Sequence, residues 1–127
     1  MTKWLLLAVG GGAGSVLRYL VAGIAQRFSA GTFPIGTLVV NVSGCLLIGF
    51  FTAAFSTRFL VREEFRVAIL VGVLGGYTTF STFGLETFKL LSDNELGRAM
   101  LNVVVSCVLG ILATWLGYRV AVVWFGL

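Results

Sequence analysis

The chain has 127 residues, of which 58% are hydrophobic and 11% are charged, and its mean hydropathy is +1.03. Charged residues make up about a quarter of a typical soluble domain, so the composition excludes a soluble globular protein and indicates an integral membrane protein. The formal net charge of +4 does not indicate nucleic acid binding, because the basic residues are scattered between apolar segments and form no polar face.

Four apolar segments have the length of about 20 residues that a helix needs to cross a bilayer. The sequence therefore predicts an all-α membrane protein with a single domain, residues 1–127, and short loops without room for a soluble catalytic module. We interpret the first segment as a retained helix, because the apolar pattern continues beyond the glycines at 10–12 without a cleavage site. The predicted helices cover residues of about 4–26, 33–57, 63–91 and 96–124.

The first predicted helix combines glycines with one arginine. Gly10 and Gly14 form a small-xxx-small pair that lets helix backbones approach closely, and the glycine run lacks the spacing of a nucleotide-binding loop. Arg18 lies well inside the apolar segment, where an ionised side chain costs about 2.5–3.5 kcal/mol unless it meets water or a partner. Arg18 either attracts anions into a wet vestibule, or it reaches the nearer interface or pairs with a carboxylate such as Glu86.

The second predicted helix begins near Pro34, which suits a first helical turn. Asn41 lies one turn beyond Thr37, so the two side chains share a face. An asparagine in lipid must be hydrogen-bonded, and its NH2 group is a donor without formal charge. Both residues are candidates for an anion pathway, and hydrogen bonding between helices is the alternative interpretation.

The third predicted helix contains two glycines and two threonines on either side of Tyr77, from Gly75 to Thr79, which predicts a break at mid-membrane. Non-helical backbone at that depth is tolerated only where it is buried in protein or lines a wet cavity. A break turns main-chain carbonyls outward, and Na⁺ is bound by such oxygens in broken transporter helices. Gly75 and Thr78 are therefore candidate cation ligands, and a simple packing kink is the alternative.

Two phenylalanines follow the predicted break. Phe80 and Phe83 are three residues apart and share a helix face. An aromatic ring has a positive edge, so the pair can support a partly dehydrated anion without a full positive charge, although aromatic pairs in membrane helices more often serve packing. Ser81 and Thr82 add hydroxyl donors to the same position.

The fourth predicted helix repeats polar or small residues every four positions, which makes a stripe that drifts slowly around one side. An ion pathway is one explanation of this stripe, and hydrogen bonding between helices is the other. Its members are Asn102, Ser106, Gly110 and Thr114.

Positive charges are nearly balanced between the two ends of the predicted bundle. An excess of Lys and Arg on one side normally sets the orientation of a membrane protein. The balance permits insertion in both directions and therefore an antiparallel homodimer, and oligomers most often have twofold symmetry. The side with both termini holds Lys3, Arg58, Arg62, Arg66 and Arg119, and the other side holds Arg27, Lys89 and Arg98.

The usual catalytic groups are missing from the sequence. It contains no histidine, no paired carboxylates within the apolar segments and no serine beside a plausible base. Cys45 and Cys107 fall within predicted helices, where a thiol usually behaves as a small hydrophobic group. The chain is therefore not expected to be an enzyme.

Three motifs, in order on four spans, resemble the Fluc fluoride channels, the CrcB-like family of small bacterial membrane proteins. The motifs are GGAGSVLRY at 11–19, GTLVVNVSG at 36–44 and GGYTTFSTF at 75–83, and the resemblance covers nearly the whole chain. It implies an antiparallel dual-topology homodimer in the bacterial inner membrane with two fluoride pores. It also implies passive, selective export of F⁻ from the cytoplasm down its electrochemical gradient, and a structural Na⁺ at the centre of the dimer interface.

The resemblance implies roles for individual residues as well. Phe80 and Phe83 would line the fluoride path with their ring edges, Asn41 would contact the anion, and Gly75 and Thr78 would bind Na⁺ through their backbone carbonyls. The implied polar track comprises Thr37, Ser81, Thr82 and Ser106, and Arg18 matches an arginine of the vestibule. Asn102 stands where some family members have a tyrosine, and Gly110 stands where a hydroxyl is expected.

Two other functions stay open at this point. Small multidrug exporters also form antiparallel dimers of four-helix chains, but they need a proton-coupling carboxylate in the first helix, where this chain has Arg18. A non-transporting membrane subunit would need only the glycines and the loop charges. That function leaves the predicted break, Asn41 and the phenylalanine pair without a shared purpose.

Overall fold

The structure is a computed structural model that describes the backbone of residues 1–127 and every side chain except that of Thr57. All regular structure in this part of the chain is helical. Four helices are long and apolar enough to cross a membrane: Thr2–Gln26, Ile35–Ser56, Glu63–Ser92 and Leu96–Phe125. The prediction of an all-α protein with four helices able to span a membrane is confirmed.

The third span is divided, whereas the other three spans are continuous. Its first part passes from α-helix into a π-helical segment and back, and its second part begins after two residues outside any helix. π-Helical segments are rare and occur frequently at functional sites. The elements are α1 (Thr2–Gln26), α2 (Ile35–Thr57), α3 (Glu63–Val67), the π segment (Ala68–Val73), α4 (Leu74–Tyr77), α5 (Phe80–Ser92) and α6 (Leu96–Phe125).

Side chains satisfy backbone groups where α1 gives way to α2. The Gly36 N–H, which has no partner within the first turn of α2, donates to Gln26 Oε1 at 2.9 Å. Gln26 Nε2 in turn donates to the Phe33 carbonyl at 3.2 Å, and Ser29 Oγ donates to the same carbonyl at 3.1 Å. These bonds fix the path of the short connection, and a short connection makes α1 and α2 antiparallel neighbours.

Glycines bring the helix backbones into contact along two seams. Between α1 and the third span, a Cβ added at Gly10 would lie 2.6 Å from the Ala68 carbonyl oxygen, and one added at Gly76 would lie 2.5 Å from that of Gly11. Between α2 and α6, a Cβ at Gly117 would clash with the Leu46 carbonyl. Small residues allow this approach in lipid, where helix association relies on close packing. The bundle therefore consists of two tightly packed helix pairs.

The large apolar side chains point outward from this bundle. Trp4, Ile111 and Trp124 each expose more than 70% of their surface, whereas small residues such as Ala53 and Ala121 are buried. A soluble protein rarely exposes large contiguous apolar patches. The distribution is that of a helical bundle whose outer surface meets lipid or other apolar protein.

Candidate functional site

Two residues with extended backbone separate α4 from α5. Thr78 has φ −83° and ψ 158°, and Thr79 has φ −151° and ψ 119°. Both conformations lie in the β region, in which a residue cannot continue the helical hydrogen-bond pattern. The backbone groups on either side of this extended segment, Thr78–Thr79, therefore need other partners.

Asn41 of α2 supplies two of these partners. Its Nδ2 donates to the Thr79 carbonyl at 2.9 Å, and its Oδ1 accepts from the Thr79 N–H at 2.8 Å. The Asn41 amide therefore forms hydrogen bonds with both backbone groups of Thr79, as a residue of a neighbouring β-strand would. Its NH2 group carries two hydrogens, and the Thr79 carbonyl takes one of them. Gly44, one turn beyond Asn41, lets α2 approach, because a Cβ there would clash with the Thr78 methyl group.

The extended segment releases the two carbonyls that were predicted as cation ligands. In a continuous α-helix the Thr79 N–H would donate to the Gly75 carbonyl, but here it donates to Asn41. The Thr82 N–H would donate to the Thr78 carbonyl, but here it donates to Thr79 Oγ1 at 3.2 Å, which caps the start of α5. Carbonyl oxygens are hard ligands and suit an alkali or alkaline-earth cation, so this donor set fits Na⁺.

Arg18 lies close to the same position. Its Nη1 is 3.5 Å from the Thr78 carbonyl oxygen, longer than the usual hydrogen-bond distance of about 2.7–3.2 Å. A guanidinium so close to a carbonyl competes with any cation bound there, since both are positive. The alternative in which Arg18 pairs with Glu86 is not the arrangement in the structure, because Arg18 contacts the Thr78 carbonyl and Glu86 accepts from Thr37.

Two cavities meet at the extended segment, and Thr79 lines both. The first, which we call the phenylalanine cavity, has a volume of about 310 Å³. The second, the arginine cavity, has a volume of about 670 Å³ and is lined by Arg18, Thr37, Thr82 and Glu86 among others. The phenylalanine cavity is lined by the other predicted residues Asn41, Gly75, Thr78, Phe80, Phe83 and Ser106, together with Cys45 and Cys107.

The structure thus distributes the predicted site residues other than Ser81 over the two cavities. Ser81 belongs to the lining of neither described cavity, and its Oγ lies 3.4 Å from Thr79 Oγ1 on the exposed side of α5. The Phe80 and Phe83 rings have centroids 5.6 Å apart and planes inclined by 41°. Phe80 is 84% exposed, which in a membrane protein leaves this ring for contact with lipid or a second chain.

Glu86 is a residue whose own role sequence reasoning missed. The Thr37 Oγ1 donates to Glu86 Oε1 at 2.8 Å, and Glu86 Oε2 is buried without a hydrogen-bond partner among the described residues. A carboxylate within a membrane span is itself a signal of function. That signal is present in the sequence, where Glu86 stands only as a possible partner for Arg18.

Ser106 is connected to α5 through two other polar side chains. Its Oγ donates to Asn102 Oδ1 at 3.3 Å, and Asn102 Nδ2 donates to Thr87 Oγ1 at 2.9 Å. Further along the predicted stripe, Thr114 Oγ1 donates to the Gly110 carbonyl at 3.0 Å. Cys45 lies opposite Gly110, since its Sγ would be 3.5 Å from a Cβ added there.

Comparison with known proteins identifies the family. The family model described as CrcB-like protein, Camphor Resistance (CrcB), matches residues 5–118. The chain belongs to the CrcB-like family. A relative from Opitutus terrae named fluoride-specific ion channel FluC is 48% identical over 96% of this chain and 94% of its own length.

Two more relatives with the same name come from other bacteria. The Geobacter sulfurreducens protein is 47% identical over 95% of this chain and 98% of its own length. The Paramagnetospirillum magneticum protein is 43% identical over 97% of this chain and 98% of its own length. The family predicted from the three motifs is confirmed. The expectation that the chain is not an enzyme agrees with it, since these relatives are named as channels.

Proposed function

We propose that this CrcB-like protein is a fluoride-selective passive channel that exports F⁻ from the cytoplasm of a bacterium across its inner membrane. The observation that carries the proposal is the phenylalanine cavity, which gathers Asn41, Phe80, Phe83 and Ser106 beside the extended segment. The names of the close relatives supply the ion. Together they favour conduction of a small anion over the carrier and subunit functions.

The chemistry of the phenylalanine cavity suits a dehydrated anion. Fluoride holds its water tightly, so a selective path must offer enough donors to replace that water and yet release the ion. The Asn41 amide, the Ser106 hydroxyl and the positive ring edges of the phenylalanines are donors without formal charge. A fixed positive charge at the same place would retain the ion and slow its passage.

The arginine cavity has a different role in this proposal. Arg18 attracts anions electrostatically toward the bundle, and Glu86 in the same lining opposes their retention. Thr37 donates to Glu86, so its hydroxyl can exchange between the carboxylate and a passing anion. Thr82 adds a second hydroxyl to this lining, and Ser81 adds one on the exposed side of the same turn of α5.

The pathway is completed by a second copy in an antiparallel dual-topology homodimer with two pores. The highly exposed Phe80 ring and the balanced loop charges support this part of the proposal. A partner chain over Phe80 would close the phenylalanine cavity, which is open to the exterior in a single copy.

A structural Na⁺ at the dimer interface would be held by the Gly75 and Thr78 carbonyls. Both oxygens are released from helical bonding, as described above, and two chains would supply four of them. A bound Na⁺ would contribute positive charge and fix the extended backbone of both copies. The Arg18 guanidinium near Thr78 is the competing cation within the chain.

No coupling ion or ATP is needed for export. Hydrogen fluoride is a weak acid that enters as a neutral molecule and dissociates in a less acidic cytoplasm, so fluoride accumulates there. The membrane potential drives an anion outward by about 2.3 kcal/mol per elementary charge per 100 mV.

Ion efflux from liposomes tests the proposal. Liposomes that contain the purified protein are loaded with potassium fluoride or potassium chloride, and valinomycin lets K⁺ balance the charge. We expect rapid fluoride release that needs valinomycin and no comparable release of chloride. Fluoride release that requires a proton or Na⁺ gradient would indicate a carrier, and absence of release from folded dimers would leave the subunit function.

A further inference from the structure

Asn102 is a buried polar side chain in the second turn of α6, within a membrane span. It is 2% exposed and ranks among the largest fully buried side chains of the described residues. A buried amide must be hydrogen-bonded, because an unpaired one costs about 1–3 kcal/mol. Asn102 lines neither of the two cavities described above, so it is placed to act on the ion only through its neighbours.

Its neighbours form a chain of three hydrogen bonds with a single direction. Ser106 Oγ donates to Asn102 Oδ1 at 3.3 Å, Asn102 Nδ2 donates to Thr87 Oγ1 at 2.9 Å, and Thr87 Oγ1 donates to the Phe83 carbonyl at 2.8 Å. The two ends of this chain, Ser106 and Phe83, both line the phenylalanine cavity. The buried middle therefore connects two walls of the same cavity.

The hydrogen inventory of these groups explains the direction. A threonine hydroxyl has one hydrogen, and that of Thr87 goes to the Phe83 carbonyl. Thr87 Oγ1 can then only accept from Asn102, which turns the NH2 group toward Thr87 and the Oδ1 toward Ser106. The Ser106 hydrogen consequently points to Asn102 Oδ1 rather than into the cavity.

We propose that Asn102 is a positioning residue for fluoride conduction, which holds α5 against α6 and orients the Ser106 hydroxyl without contacting the ion. The inference rests on the proposed function and adds to it. An anion in the phenylalanine cavity must draw the Ser106 hydrogen away from Asn102. The bond it breaks is the longest of the three, so the hydroxyl can turn at small cost.

The test compares three substitutions by fluoride efflux. Asn102→Leu keeps the number of side-chain atoms other than hydrogen but cannot form hydrogen bonds. Thr87→Val removes the hydroxyl that links Asn102 to Phe83, and Thr87→Ser keeps that hydroxyl as the matched control. We expect a fall of about tenfold for the first two, the effect of one unpaired buried group, and wild-type flux for Thr87→Ser. The double variant Asn102→Leu/Thr87→Val should fall no further than Asn102→Leu alone, because both act through one chain of bonds.

A spectroscopic measurement separates positioning from direct ion contact. 4-Fluorophenylalanine is placed at position 83, and its ¹⁹F NMR signal is recorded in dimers that elute as folded protein. Asn102→Leu and Thr87→Val should each shift this signal, and Thr87→Ser should not. If Asn102→Leu lowers flux while the signal stays in place, or if the two flux losses multiply in the double variant, Asn102 acts on the ion itself and the proposal is wrong.

The two arms also separate this inference from the proposed function. If wild-type protein releases no fluoride, the channel function fails, whereas the NMR arm still decides whether Asn102 positions Phe83. If wild-type protein conducts and neither Asn102→Leu nor Thr87→Val changes flux, only the inference about Asn102 is overturned.

Discussion

The two cavities on either side of Thr79 differ in how they present charge. The phenylalanine cavity is lined by rings, an amide, hydroxyls and thiols, and carries no ionised side chain in its lining. The arginine cavity is larger and holds Arg18, Arg27 and Glu86. In the proposed channel, formal charge lies where an anion can keep its water. Uncharged donors are placed where an anion would have to lose that water, because a charge there would trap it.

The largest effect on fluoride flux is expected from Asn41, which is hydrogen-bonded to Thr79, the residue that lines both cavities. Asn41→Leu leaves the N–H and C=O of Thr79 without partners, at about 1–3 kcal/mol each, so we expect fluoride flux to fall at least about a hundredfold and the resistance to detergent unfolding to drop. Efflux per folded dimer is the measurement. The matched control is Asn94→Gly in the turn after α5, since Asn94 has φ 57°, a conformation that glycine adopts readily.

The second largest effect is expected from the two phenylalanines that line the phenylalanine cavity, and not from a phenylalanine elsewhere on α5. Phe80→Ile or Phe83→Ile removes a ring edge from the cavity. Edge contacts between two aromatic rings are worth about 0.5–1.5 kcal/mol, and a ring-edge contact of similar size would lower flux up to about tenfold while the protein stays folded. Phe88→Ile is the control, because Phe88 is on the same helix, is 64% exposed and lies outside both linings. Equal losses in all three variants would mean that the rings only pack.

In the arginine cavity, the effect of a substitution on fluoride flux should depend on ionic strength. Arg18→Gln removes its attraction for anions, and we expect flux to fall about tenfold at low salt, the low end of the range by which charges steer association. Raising potassium glutamate toward 1 M should erase the difference, because the Debye length shrinks from about 10 Å at 0.1 M to about 3 Å. Arg119→Gln near the end of α6 serves as control. A loss of flux that salt does not change would mean that Arg18 acts through its contact with the Thr78 carbonyl and not by attracting anions.

The smallest effect is expected outside both cavities, in the loop before α6. Thr32 Oγ1 donates to Glu95 Oε2 at 2.6 Å and Arg98 Nη1 donates to it at 3.0 Å. The Thr32 hydrogen bond, followed by the Arg98 contact, holds the pKa of Glu95 below its ordinary value. Its contribution to stability is therefore present above the unfolded-state pKa of about 4.3 and is lost as the pH falls through the lower folded-state pKa.

Glu95→Gln is the substitution that tests this loop. It should flatten the loss of stability below pH 5 slightly and leave fluoride flux at pH 7 unchanged, as measured by thermal unfolding in detergent and by efflux. A large change in flux would mean that the loop belongs to the pathway and that the contrast between the two cavities is incomplete.

Local patterns allowed part of this arrangement to be predicted. Apolar length gave the four spans, and the spacing of Gly10 and Gly14 indicated a close helix contact, whose partner the structure shows to be the third span. The partners of Asn41 could not be predicted, because a hydrogen bond between residues 38 positions apart depends on the packing of two helices. The hydrogen bond between Glu86 and Thr37 and the series of hydrogen bonds through Asn102 could not be predicted for the same reason. The π segment Ala68–Val73 has no sequence signal that we recognise.

The proposal of a passive channel with selectivity in the phenylalanine cavity is tested most directly by the reversal potential of wild-type protein in a planar bilayer. Fluoride and chloride gradients are set in opposite directions, with a pH gradient added in a second run. The account predicts that the current reverses at the equilibrium potential of fluoride, whatever the chloride or proton gradient. A reversal potential that moves with the chloride gradient would contradict selectivity in the phenylalanine cavity, and one that moves with pH would contradict a passive channel.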